Sequence, residues 1–164
     1  VVVSGLNIRE MTVADHIVVG EVGFAAWTSS DAFKGVDLTP DVIERTRKAY
    51  ETFAPETEAE VWIAELAGKV VGWCAREGSP NYISDVWVLP DCQGRGIGRA
   101  LVLHACERIR AEGHRTATIH THARNAGAVR LYERCGFNIV WRGIEPSKSM
   151  GVDLEKIHLA KPLD

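Results

Sequence analysis

The stretch from Val86 to Arg99, Val-Trp-Val-Leu-Pro-Asp-Cys-Gln-Gly-Arg-Gly-Ile-Gly-Arg, limits the fold more than any other part of this chain. The run Tyr82 to Leu89 is rich in β-branched and aromatic residues and is stopped by Pro90, so it reads as a strand. Beyond Gly98, the residues Leu101, Val102, Ala105, Cys106 and Ile109 repeat at helical spacing until Gly113, a natural C-terminal stop. Gly94, Gly96 and Gly98 make the turn between them. A strand led through such a turn into a helix directs backbone N–H groups and the positive end of the helix dipole at one spot, and Arg95 and Arg99 add formal charge there. That arrangement suits a phosphate, while the glycines alone would equally fit a tight connection with no ligand. It is not a P-loop, because no Lys follows, and it is not a dinucleotide fingerprint, because Leu101 stands where the third glycine belongs.

The rest of the chain supplies the partners for this unit. Leu6 to Met11 reads as a strand, and Thr12 with Asp15 forms a capping box for a helix ending near Trp27. Thr39 and Pro40 open a second helix over 39–53, with Val42, Ile43, Thr46, Ala49, Tyr50 and Phe53 on its apolar face. Val61–Leu66 and Val70–Ala75 flank Ala67-Gly68-Lys69 as a hairpin, with Gly68 at positive φ. Thr116–Thr121 is a strand, Asn125 caps a helix that Gly136 ends, and Phe137–Trp141 and Leu154–Leu159 complete the sheet. The order β-α-α-β-β-β-α-β-α-β-β, with no repeat or linker, predicts one α/β domain over residues 1–164.

Composition narrows the function. With 19 Lys and Arg against 22 Asp and Glu, the net charge of -3 argues against a protein devoted to nucleic acid. Cys74, Cys92, Cys106 and Cys135 form no C-x-x-C pair, which removes zinc-ribbon and thioredoxin chemistry and favours free thiols in a cytoplasmic protein. No apolar run reaches the roughly 18 to 20 residues of a membrane helix, and Val1-Val2-Val3 lacks the basic start of a signal peptide.

Gln93-Gly94-Arg95-Gly96-Ile97-Gly98 resembles the [QR]-x-x-G-x-[GA] motif of the GNAT superfamily of N-acetyltransferases. Asn125-Ala126-Gly127-Ala128-Val129-Arg130-Leu131-Tyr132-Glu133-Arg134-Cys135-Gly136-Phe137 resembles that superfamily's N-x-x-A-x-x-L-Y-E-x-x-G-F segment. The likeness spans roughly residues 82 to 140 and implies a mixed, mostly antiparallel sheet of six to seven strands, flanked by about four helices and splayed between strands 82–89 and 116–121. It implies acetyl-coenzyme A as donor, with the pyrophosphate on the amides of Gln93, Gly94, Arg95, Gly96, Ile97 and Gly98, beside Arg99. The pantetheine arm would pair with main-chain groups of Val86 and Val88 and pass Asn125 and Ala128, Asn125 being equally explained as a plain helix cap. Tyr132 matches the superfamily's general acid, and the Val88 N–H is placed to polarise the thioester carbonyl.

The base is open on the residues alone. His120 and His122 share one face of their strand, and His120 stands five residues before Asn125, where some members carry a glutamate base. Asp85 acting through water, a substrate arriving neutral, or two merely half-exposed histidines are the alternatives. No third ligand accompanies the histidines, so no metal is expected. Cys92 and Cys135 raise a covalent route but have no readable His–Asp context. The acceptor, a primary amine of a small molecule or peptide, should meet residues 27–60 and 143–152. There Asp31, Asp37, Asp41, Glu44, Glu51, Glu56, Glu58 and Glu60 outnumber Lys34, Arg45, Arg47 and Lys48 and lean toward a cationic substrate. Trp27, Phe33, Tyr50 and Phe53 are core residues first and pocket wall second. The expected activity is direct transfer in a ternary complex. The rival is a non-catalytic acyl-coenzyme A sensing module, and the exposed terminal strand makes a homodimer an open expectation.

Overall fold

The computed structural model describes residues 3–164, so Val1 and Val2 of the apolar start lie outside the described residues. Seven strands make one sheet: β1 (Leu6–Glu10), β2 (Glu60–Leu66), β3 (Lys69–Arg76), β4 (Tyr82–Val88), β5 (Thr116–His122), β6 (Asn138–Pro146) and β7 (Asp153–Pro162), in spatial order β1-β2-β3-β4-β5-β7-β6. Four helices flank it: α1 (His16–Thr28), α2 (Pro40–Glu56), α3 (Ile97–Ala111) and α4 (Ala126–Arg134). Every neighbouring pair is antiparallel except β4 and β5.

Each face of the sheet buries its own apolar cluster. Leu101, Val102, Ala105 and Ile109 of α3 pack on Ile83, Ile119 and Leu159. On the opposite face Val19, Val22 and Trp27 of α1 meet Tyr50 of α2 and Ile63, Trp73 and Ala75 of the sheet. Gly23 lets the two helices approach, since a Cβ there would lie 2.6 Å from the Tyr50 ring. The start of α1 is pinned by Asp15, which accepts the Thr12 N–H at 2.7 Å and two bonds from Arg9 at 2.8 and 2.9 Å.

Several elements differ from the sequence reading in extent. The β2–β3 turn places both Ala67 (φ 51°) and Gly68 (φ 77°) in the left-handed region, as a two-residue type I′ turn requires. Helix α2 runs on to Glu56 with Pro55 in its last turn, and the Thr57 N–H closes that turn on the Phe53 carbonyl. Strands β6 and β7 are longer than Phe137–Trp141 and Leu154–Leu159. β6 is an edge strand with Ile139, Val140 and Ile144 all exposed, so its pattern carries no in–out alternation to read.

The feature that shapes the site is a missing ladder. β4 pairs with β5 only at Tyr82↔Thr118 and Ile83↔Ile119, while β5 pairs with β7 along its whole length. Asn81 fastens the closed end, accepting the Thr118 N–H and donating its amide to the Thr116 carbonyl, both at 2.9 Å. Beyond Ile83 the strands part.

Candidate active site

The parting exposes a defined set of main-chain groups. The Leu89 N–H bonds Val71 at 2.8 Å, and counting back by twos assigns Trp87 and Asp85 to β3. The groups of Val86 and Val88 therefore face the gap. One of them is taken: the Val88 carbonyl accepts the Gln93 side-chain amide at 3.0 Å. This leaves the Val86 groups and the Val88 N–H for a ligand. Gln93 thereby ties the glycine turn to the strand, a role its place in the motif does not reveal.

The turn has the shape its glycines require. Gly94 and Gly96 sit at φ 76° and 88°, and Gly96 is the residue from which α3 starts. Gly98 serves packing as well, since a Cβ there would lie 3.0 Å from Leu131 of α4. The Ile97 side chain is in the core, so only its amide is available. Arg95 is exposed and does not line the cleft; the guanidinium groups that do belong to Arg99, Arg130 and Arg134. Arg130 and Arg134, four apart on α4, were readable as one helical face and were missed. Asn125 caps α4 through the Ala128 N–H at 3.3 Å, and Asp31, also unforeseen here, accepts the next free amide, Gly127, at 3.2 Å.

Two cavities meet at the gap. The donor-side cleft, of about 490 Å³, is lined by the glycine turn and α4. The second, of about 770 Å³, opens toward α1 and α2. They share Val86, Trp87, Asn125, Ala128 and Tyr132 as walls. Tyr132 is 5% exposed with its ring near Phe137, yet its hydroxyl makes no hydrogen bond among the described residues and is not sealed from the cavity. Burial, and then the Asp85 charge, hold its phenol above the ordinary range, so it stays protonated.

In the second cavity the candidate bases separate. Burial pushes the Asp85 carboxyl up, against hydrogen bonds from Trp87 (indole N–H, 3.1 Å) and Ser84 that pull it down. His120 goes the other way, down to about 4, through burial and then the neighbouring His158. His122 is lowered by burial, and its Nδ1 already accepts the Arg124 N–H at 3.2 Å. The cluster the fold builds omits His122: potential ligand atoms of His120, Glu145 and His158 lie within 4.8 Å of one another. The His120 and His158 rings stack at 3.4 Å and 5°, so their nitrogen lone pairs run parallel and do not converge on one point. Glu145 instead pairs with His158.

One expectation shifts. None of the eight acidic residues between Asp31 and Glu60 lines the second cavity. Asp31 caps α4, and Glu44 and Glu51 pair with Arg47 on the outer face of α2. The cationic leaning read from that segment therefore does not reach the second cavity. Cys135 is buried and that burial pushes its thiol up, which disfavours the thiolate a covalent route would need. Trp27, Phe33, Tyr50 and Phe53 are both core and cavity wall. No helix among the described residues is long and apolar enough to cross a membrane.

A sheet split between two parallel neighbours, with a glycine-turn helix start at the mouth of the split, defines the class of transferases that hold an acyl-coenzyme A in such a cleft. The chain belongs to the Acetyltransferase (GNAT) family, whose sequence profile matches residues 26–137. It is 38% identical over 151 residues to a mycothiol acetyltransferase of Streptomyces avermitilis, covering 82% of this chain and 47% of that one. It is 30% identical over 135 residues to the mycothiol acetyltransferase of Thermomonospora curvata, covering 80% and 39%. The chain thus spans less than half the length of these curated relatives. Two solved structures share the fold: a GCN5-related N-acetyltransferase from Rhodopseudomonas palustris (TM-score 0.81, 22% identity, 99% of both chains) and the PaiA N-acetyltransferase from Thermoplasma acidophilum in complex with coenzyme A (TM-score 0.74, 16% identity, 96% and 99%).

Proposed function

We propose that this chain transfers the acetyl group of acetyl-coenzyme A to a primary amine by direct attack in a ternary complex. The observation that carries the reading is the meeting of two cavities at an open strand edge, beside a buried tyrosine whose hydroxyl has no hydrogen-bond partner among the described residues. The donor's diphosphate would lie on the amides between Gln93 and Gly98, with Arg99, Arg130 and Arg134 around it. Its arm would complete the β4 edge at Val86, with the thioester carbonyl on the Val88 N–H.

The amine nitrogen forms a C–N bond to the carbonyl carbon, the C–S bond breaks, and the thiolate leaves toward Tyr132. A phenol held above its usual range hydrogen-bonds a thiolate readily, while full proton transfer to it is uphill. Tyr132 acts mainly as a donor to the developing charge. For the amine's proton the physical case favours Asp85 over His120. Burial raises the Asp85 carboxyl and lowers the His120 imidazole, so the two shifts run in opposite directions and both favour Asp85 as the acceptor. His122 has no free lone pair once its Nδ1 is engaged. His120 then serves as cavity wall.

Calorimetric titration with acetyl-coenzyme A, followed by free-thiol release across a panel of amines, tests this. Binding with turnover is expected. Binding without turnover on any amine would favour the sensing module, and no heat at millimolar donor would remove both.

A further inference from the structure

Two aromatic columns converge on β5, and Trp27, Phe33 and His122 of one and Tyr82 and His120 of the other line the second cavity. Phe24, Trp27, Phe33 and His122 follow one another at centroid distances of 5.8, 5.2 and 5.5 Å. Tyr82, His120, His158 and Trp141 follow at 4.6, 3.4 and 4.4 Å. Tyr50 meets Trp87 edge to face at 5.5 Å. Amid these rings stands one carboxylate, Asp85, close enough for its charge to act on Tyr50, Tyr82 and Tyr132. The other charged walls are Glu77, Glu145, Lys148 and Lys156. Of these, Glu145 is engaged by His158, Lys156 reaches the Pro146 carbonyl at 3.4 Å, and Glu77 accepts from Thr57.

We propose that the acceptor is a monoamine on a flat apolar body, an arylalkylamine in chemical class, with its ammonium at Asp85 and its ring between the two columns. This rests on the acetyl-transfer reading above. Charge complementarity comes from one carboxylate facing one ammonium, and aromatic faces add attraction for a cation. Rings arrayed at stacking distance favour a flat apolar body. Glu77 and Glu145 on these walls are matched in number by Lys148 and Lys156, so Asp85 is the one carboxylate in excess, which suits an acceptor carrying a single ammonium. The cavity, about 770 Å³, has the volume of a drug-sized ligand site.

The test compares 2-phenylethylamine, ethylamine, 1,5-diaminopentane and alanine as acceptors at saturating acetyl-coenzyme A, read by thiol release, with donor binding measured separately by calorimetry. The expected result is a kcat/KM for phenylethylamine at least roughly tenfold above each of the others. Phe33→Ala should lower the phenylethylamine value several-fold and the ethylamine value less, and Phe33→Leu, which keeps the bulk, should lose only the aromatic part. Preference for the diamine or alanine, or equal rates for phenylethylamine and ethylamine, overturns the acceptor class while leaving acetyl transfer intact. Donor binding with no transfer to any amine overturns both.

Discussion

Replacing Tyr132 by Phe separates chemistry from structure more cleanly than any other substitution in this chain. The ring is buried against Phe137, and Phe preserves that contact. The hydroxyl has no protein partner among the described residues, so removing it costs no internal hydrogen bond; thermal stability should stay level or rise slightly. In the transition state the same hydroxyl faces a developing thiolate, and a hydrogen bond to a charged group is worth about 1.5 to 3 kcal/mol. That converts to a fall in kcat of roughly 10- to 150-fold. Donor affinity should move by less than about threefold, since the bond strengthens only as charge develops. Stopped-time thiol release, calorimetry and thermal unfolding read the three quantities on one preparation. Unchanged kcat would refute the role assigned to the hydroxyl, and a large drop in melting temperature would show that it holds the fold instead.

Asp85→Asn should cut turnover and abolish the acid limb of the kcat/KM profile, a limb that in the parent lies above the ordinary carboxylate range because activity requires the ionised form. The same substitution should raise the melting temperature by more as pH rises, because the parent must ionise a carboxyl that burial holds up; a gain that shrinks with rising pH contradicts the assignment. Gly72→Ala puts a Cβ 2.8 Å from the Trp87 carbonyl, a backbone atom that cannot rotate away. A loss of about 1 to 3 kcal/mol in urea unfolding is expected, together with weaker donor binding because β4 must shift. The Arg9–Asp15 pair holds the Asp15 carboxyl down to about 2 from 3.8. Its stabilisation, about 1 to 2 kcal/mol after discounting the partly exposed Arg9, is complete above pH ~4 and is lost as pH falls from there toward ~2; Asp15→Asn should remove that part of the acid transition.

The strand, turn and helix around Gly94 and Gly96 were readable because positive φ and a helix start each leave a mark in the letters. The segment around Tyr132 likewise marked a residue that lines both cavities. What escaped reading was produced by pairing across distance. Glu145 and His158 reach His120 only through the β5–β7–β6 register, and Asp31 reaches Gly127 across 96 residues of chain. The acidic run from Asp31 to Glu60 misled for the opposite reason: composition counts charges but does not say which way each one faces, and none of the eight lines the second cavity. His120 was a sound candidate by position. Its neighbour His158, contributed by a strand about forty residues later, is part of what lowers its basicity.

Two residue pairs are all that join β4 to β5. The amides of Val86 and Val88 should therefore exchange with deuterium quickly in the free protein and slowly once an extended ligand lies along them. On this view the coenzyme is a borrowed eighth strand. Each cycle would stiffen the molecule on arrival and loosen it on departure, so that storage life and protease resistance should track how much donor the solution contains.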